Sequence, residues 1–177
     1  SFGASIAIRY VTKYPGKVPR LVLVGGSPKF IATDDFPYGI PQNFSDAQLA
    51  LAMESYSKWM RVFLGLIFPE PGTEYLKEWG IKMSQKIPQE IALNSITNLL
   101  EADLRPLLRK INIPTLTLHG EIDKVLRWEN AKYMCENIPG SKMYIVKDAG
   151  HFPSITAADK FNKILKEFIT TGKLMKD

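Results

Sequence analysis

Three short stretches hold residues able to do chemistry together. "SFG" at the start places Ser1 two residues before Gly3 and directly ahead of an apolar helical pattern. That is the second half of a G-x-S-x-G turn, a strained strand-to-helix elbow. Such an elbow exposes the serine hydroxyl and aims the following backbone N–H, here that of Phe2, at the same spot. "LHGEIDKV" places Asp123 just past an apolar run, and "KDAGHFP" places His151 in the loop after another. Hydroxyl, imidazole and carboxylate make an acyl-transfer set. His151 takes the proton from Ser1 Oγ, Asp123 keeps the ring in the right tautomer, and Phe2 N–H donates to the developing oxyanion.

Each residue alone has a plainer reading. Serine beside glycine is commonly a turn residue, aspartate after a strand commonly caps a helix, and a Gly-His pair is often only a loop. The combination is favoured because each falls at the C-terminal edge of a strand, or where one would have to end, and an open α/β sheet presents its functional groups there. The other histidine, His119, lies inside the strand end "TLTLHG" and is expected to pack and hydrogen-bond rather than react. Asp148 is too near His151 in sequence to orient the ring from its far side, which leaves Asp123 as the expected acid. A rival reading makes Ser1 an N-terminal nucleophile with its own α-amine as base. That class needs neither Asp123 nor His151, and an Ala- and Ile-rich opening helix is foreign to it.

Strands must position this set. Residues 20–26 ("RLVLVGG"), 114–120 ("PTLTLHG") and 142–147 ("KMYIVK") are short apolar runs, the form of strands buried on both faces of a parallel sheet. Helical patterns accompany them. The first opens the chain, reads as a mostly buried helix and stops at Pro15 and Gly16; another runs from 128 to 138. A third covers 156–169 and starts on a capping box of Thr156 and Asp159. Strands alternating with helices predict an α/β fold. Residues 36–100 differ: after "FPYGIPQNFS" come helical patterns, one of them the continuous "DAQLALAMESYSKWMRVFLGLIF", broken at Pro69, Pro71 and Pro88 with no convincing strand. The expected organisation is an α/β core of residues 1–35 and 101–177 with a helical lid over 36–100.

Composition narrows the class. At 177 residues, 45% hydrophobic and 23% charged, the chain is globular and not disordered, and no apolar run is long enough to span a membrane. A single cysteine, Cys135, excludes an internal disulfide framework and fits a cytoplasmic setting. Two histidines, one cysteine and no clustered carboxylates offer no metal ligand set, so neither metal nor cofactor is expected. The net charge is +5, but the basic residues are dispersed. The C-terminal set Lys160, Lys163, Lys166, Lys173 and Lys176 reads as a solvated helix face and tail, which argues against nucleic acid as partner.

The segments "SFGASIAIRYVTKYPGKVPRLVLVGGSP", "INIPTLTLHGEIDKV" and "VKDAGHFP" resemble the α/β-hydrolase superfamily, whose chain order is Ser, Asp, His. Within it, "LVLVGGSPKFIATDDFPYGI", "MRVFLGL" and "ADLRPLLRKINIPTLTLHGEID" are similar to the pimeloyl-[acyl-carrier protein] methyl ester esterases of bacterial biotin synthesis. The resemblance implies that five strands precede the nucleophile, that this chain is a C-terminal part, and that its partner is the N-terminal part of the same hydrolase. Three strands alone are expected to leave the sheet faces uncovered and Ser1 at a frayed end. The second oxyanion donor comes, in the family, from a loop outside this sequence.

For substrate, Met53, Tyr56, Trp59, Met60, Phe63, Leu64 and Phe68 form an apolar surface at near-helical spacing. Much of it is lid core, and Trp59 and Phe63 are expected to face an acyl chain. The resemblance further implies that Lys58 and Arg61 meet phosphopantetheine or an acidic acyl carrier protein. The lid region 36–100 carries five Lys or Arg against six Asp or Glu, so no strong positive field supports that contact. The expected function is a serine carboxylesterase acting on a pimeloyl-carrier methyl ester. A general hydrolase of small esters, enol-lactones or C–C bonds, or a noncatalytic hydrolase-fold binding protein, are the alternatives.

Overall fold

A computed structural model describes residues 1–173, so Lys176 lies outside the described residues. The three apolar runs form a parallel sheet of β1 (Leu21–Val24), β2 (Thr115–Gly120) and β3 (Lys142–Val146), side by side in that order. Leu21 pairs with Thr115 and Leu116 with Lys142. Every residue of β2 is buried, as its central place requires. The helices are α1 (Phe2–Lys13), α2 (Gln42–Glu54), α3 (Tyr56–Ile67), α4 (Glu74–Ser84), α5 (Gln89–Glu101), α6 (Arg105–Leu108), α7 (Glu129–Asn137), α8 (Pro153–Thr156) and α9 (Ala158–Thr171).

Three apolar clusters hold these elements. Ala4, Ile8 and Val11 of α1 pack with Leu21 and Leu23 of β1 and Met134 of α7. Phe161, Ile164 and Phe168, spaced to share one face of α9, pack with Leu116, Leu118 and Val146 of the sheet. A separate cluster joins Trp59, Met60, Leu64, Ile67, Leu76 and Ile81 of α3 and α4. At the margins of the all-helical stretch, Arg105 bonds both Asp35, at 2.8 Å, and Asp103, at 2.6 Å. No helix among the described residues is long and apolar enough to cross a membrane.

Several sequence expectations change. Ser1 is held rather than frayed: its backbone nitrogen donates to Val24 O at 2.6 Å. Helices α1 and α7 pack on the sheet in one cluster and α9 in another, while residues 142–145 of β3 and alternate residues of β1 stay only half-buried. Helix α1 buries only one face, at Ala4, Ile8 and Val11, and leaves a second apolar stripe of Phe2, Ile6, Tyr10 and the capping Tyr14 exposed at four-residue spacing. The long helical run splits at Ser55, whose extended backbone stops α2 and whose hydroxyl accepts from Lys58 N at 3.4 Å to start α3. The Thr156–Asp159 capping box does not form. Pro153 suits a first helical position and starts α8 one turn early, so Thr156 Oγ1 donates to Phe152 O and α9 begins after Ala157.

At the C-terminal edge of the sheet, Gly120 ends β2 against the loop that carries His151. A Cβ at Gly120 would overlap the main-chain oxygens of Gly150 and Ala149, which have no rotamer with which to retreat. Gly120→Ala is therefore expected to cost about 2–3 kcal/mol, the upper range for forced overpacking. A urea midpoint unchanged from the parent protein would show that the two loops separate freely.

Candidate active site

The site gathers where β1 ends. Gly25 has a φ of 54°, a backbone that favours glycine, and its N–H donates to Leu118 O at 2.9 Å. The His151 imidazole stands over it, since a Cβ on Gly25 would lie 3.5 Å from ring atoms Cε1 and Nδ1. Ser1 binds the preceding residue, Val24, through its own nitrogen. Both residues thus approach one strand end, and a Cβ at Gly25 would touch the ring and crowd His151 O at 3.3 Å.

Asp123 follows β2 in a loop that turns back on itself. Its Oδ1 accepts the N–H groups of Val125, at 2.7 Å, and Leu126, at 3.0 Å. Its Oδ2 accepts from His151 Nδ1 at 2.7 Å and from His119 Nε2 at 2.9 Å. The carboxylate side chain is fully buried, as is His119. Burial alone would raise the Asp123 pKa, but hydrogen bonds from His119 and His151 outweigh it and hold the carboxyl well below its ordinary range.

The acceptor-only partners assign the protons. A carboxylate facing His151 Nδ1 puts the hydrogen there, which leaves Nε2 as the basic nitrogen of the neutral ring. Among the described residues neither His151 Nε2 nor the Ser1 hydroxyl has a hydrogen-bond partner. His119 Nε2 also faces Leu126 O at 3.0 Å, so it is a donor, and its buried Nδ1 has no partner among the described residues.

Ser1 lines a cavity of about 290 Å³ with Tyr56, Trp59, Met60 and Phe63 of α3 and Ile96 of α5. The walls are almost wholly apolar, and Trp59 stacks on Phe63 with centroids 5.0 Å apart. Phe2 N–H belongs to the first turn of α1, whose amides lack intrahelical acceptors and carry the positive end of the helix dipole. Lys58 and Arg61 sit on the exposed side of α3 and line no part of the cavity; Arg61 is 3.6 Å from Glu78. Met53 is also exposed, while Leu64 and Phe68 belong to the apolar cluster that joins α3 and α4. The structure therefore brings together Ser1, Asp123 and His151 at one sheet edge, with Trp59 and Phe63 at the cavity, and leaves the two cations outside. Sequence reading missed the His119 contact with Asp123. It also missed Ile96 and Leu100, whose four-residue spacing on α5 carries the same signal that singled out α3.

The family of the alpha/beta hydrolase fold matches residues 1–158. A pimeloyl-[acyl-carrier protein] methyl ester esterase of Pectobacterium atrosepticum is 30% identical over 169 residues, covering 92% of this chain and 65% of that protein. An AB hydrolase superfamily protein of Bacillus subtilis is 26% identical over 170 residues, covering 95% and 63%. The solved structure of an esterase from Exiguobacterium antarcticum superposes with a TM-score of 0.91 at 29% identity, covering 97% of this chain and 65% of that one. The chain spans 63–65% of the length of these three proteins. With residues 1–158 inside the family match and the backbone superposing so closely, the chain belongs to the alpha/beta hydrolase fold family.

Proposed function

We propose that this chain carries the acyl-transfer machinery of a serine carboxylesterase. The observation that carries the reading is the 2.7 Å contact of His151 Nδ1 with buried Asp123, which leaves Nε2 unpartnered at the strand end that Ser1 adjoins. In the forward step Nε2 takes the Ser1 Oγ proton as the oxygen attacks the ester carbonyl. Phe2 N–H donates to the oxyanion, and Asp123 balances the imidazolium charge. The imidazolium then gives its proton to the departing alcohol. Water repeats the sequence against the acyl-enzyme, and the acid leaves with Ser1 restored. The acid–imidazole pair supports this reading over an N-terminal amine base, which has no use for it, and over a binding protein, which needs no basic Nε2.

Residues 36–100 act in this reading as a lid whose apolar lining receives the acyl chain. The finer substrate is the methyl ester of a pimeloyl-acyl carrier protein in biotin synthesis, supported by the relatives of that name at 24–30% identity. A fluorophosphonate probe tests the chemistry. It should add its mass to the peptide carrying Ser1 and stop hydrolysis of p-nitrophenyl butyrate; labelling at another serine with turnover lost would move the nucleophile.

The carrier is tested on the exposed side of α3. Lys58→Glu with Arg61→Glu should slow hydrolysis of the carrier-bound ester about tenfold, chiefly through association. Added salt should shrink the defect, because the contact acts over a Debye length of about 8–10 Å. The small ester should be hydrolysed as before. Equal loss on both substrates would mean a disturbed lid, and no loss on either would remove these cations from recognition.

A further inference from the structure

We propose that Glu70 is a positioning residue for His151: its carboxylate fixes the loop carrying the imidazole and ties that loop to the end of the cavity-lining helix α3. The inference rests on the serine esterase reading above. Glu70 Oε1 accepts from Gly150 N at 2.6 Å, across 80 residues of chain. The next amide, His151 N, donates at 3.2 Å to Ile67 O, at the last residue of α3, where a helix leaves its carbonyls unpaired. The rings of Phe68 and Phe152 lie 5.7 Å apart on the same two segments. Residues 67–70 therefore take two successive amides, those of Gly150 and of His151 itself. Gly150 admits nothing between, since a Cβ there would lie 2.5 Å from Pro69 Cδ and 3.0 Å from Glu70 Oε2.

Glu70 is poorly arranged for stability alone. Its Oε2 is buried with no hydrogen-bond partner among the described residues, a costly state for half of a carboxylate. What the residue supplies is an acceptor oxygen with the reach to hold one amide of a loop under strain. Asp148, two residues earlier, has a φ of 58°, unusual for a non-glycine, and its N–H is taken by Glu121 Oε2 at 3.0 Å. Asp123 grips the ring at Nδ1 but does not fix where the loop stands. Proton transfer from Ser1 depends on the position of Nε2, and a displacement of about 1 Å can cost about 100-fold in rate. The clamp also makes α3 a common member of two devices: it walls the cavity with Trp59 and Phe63, and its final carbonyl holds the base.

Three substitutions separate reach from charge: Glu70→Gln keeps an acceptor oxygen at the same distance, Glu70→Asp keeps the charge and loses the reach, and Glu70→Ala loses both. On p-nitrophenyl butyrate, Glu70→Ala and Glu70→Asp should lower kcat about 10- to 100-fold per folded molecule, with KM within about threefold, and Glu70→Gln should recover most of the rate. Proton NMR of the His151 Nδ1–H bonded to Asp123 gives a second readout that needs no turnover, and should shift or broaden in the Asp and Ala variants only. A parent protein that neither hydrolyses the ester nor reacts at Ser1 would sink the esterase reading, and the NMR comparison would still judge the clamp. Unchanged kcat and an unchanged resonance in Glu70→Asp overturn the proposal, even if Glu70→Ala fails to fold.

Discussion

Replacing Ser1 with alanine is expected to lower kcat about a millionfold, to the residual rate supplied by the cavity and the oxyanion donor. The loss should fall on kcat with little change in KM, because Ser1 contributes one hydroxyl to walls that are otherwise almost entirely apolar. The variant should fold. The Ser1 side chain makes no cap hydrogen bond to α1, and the contact with Val24 O comes from its backbone nitrogen, which alanine keeps. Stopped assays on p-nitrophenyl butyrate, with a thermal melt alongside, make the comparison. Activity within tenfold of the parent would place the nucleophile elsewhere, whatever the position of His151.

Asp123→Asn is the second large effect, a fall in kcat of about 10⁴-fold. An asparagine oxygen could still accept the Val125 and Leu126 amides, which would turn its NH₂ toward His151 Nδ1 and force the hydrogen onto Nε2, the nitrogen that must be basic. The same flip faces the NH₂ with His119 Nε2–H, whose second acceptor is Leu126 O. The substitution also removes a pH dependence of stability. The native Asp123 carboxyl titrates below its unfolded value of about 3.9, so its stabilisation is complete above about pH 4 and is lost as pH falls further. Urea unfolding between pH 6 and 3 should show the parent losing stability more steeply than Asp123→Asn. Parallel curves would mean that the His119 and His151 hydrogen bonds do not favour the ionised form.

Much of this site was legible in residue types. "LVLVGG" and "TLTLHG" are strands on any reading, because a parallel sheet covered by helices demands continuous apolar runs, and the acid and base follow such strand ends. Two histidines left few choices of base. What escaped depended on how loops return. His119 looked like strand packing, and only the tight turn over residues 123–126 brings the Asp123 oxygen back to its ring. Glu70 lies between prolines in "PEPG", the form of a solvated loop, and its partner is 80 residues away. The stop at Ser55 has neither proline nor glycine to announce it. The false capping box at Thr156 lost to Pro153, a stronger local start than a hydroxyl one turn later.

The bond from His151 N to Ile67 O also sets where the molecule can be recombined. Trp59, Met60 and Phe63 form the α3 wall of the cavity and lie before Ile67, so a donor sequence for residues 36–66 would exchange that wall and leave the α5 wall, with Ile96 and Leu100, in place. A crossover drawn at the conspicuous prolines, Pro69 or Pro71, would instead import a foreign end of α3 and with it a foreign seat for the imidazole. The seam that exchanges the α3 wall without moving the imidazole runs one residue before Ile67, inside a helix, where no break in the sequence marks it.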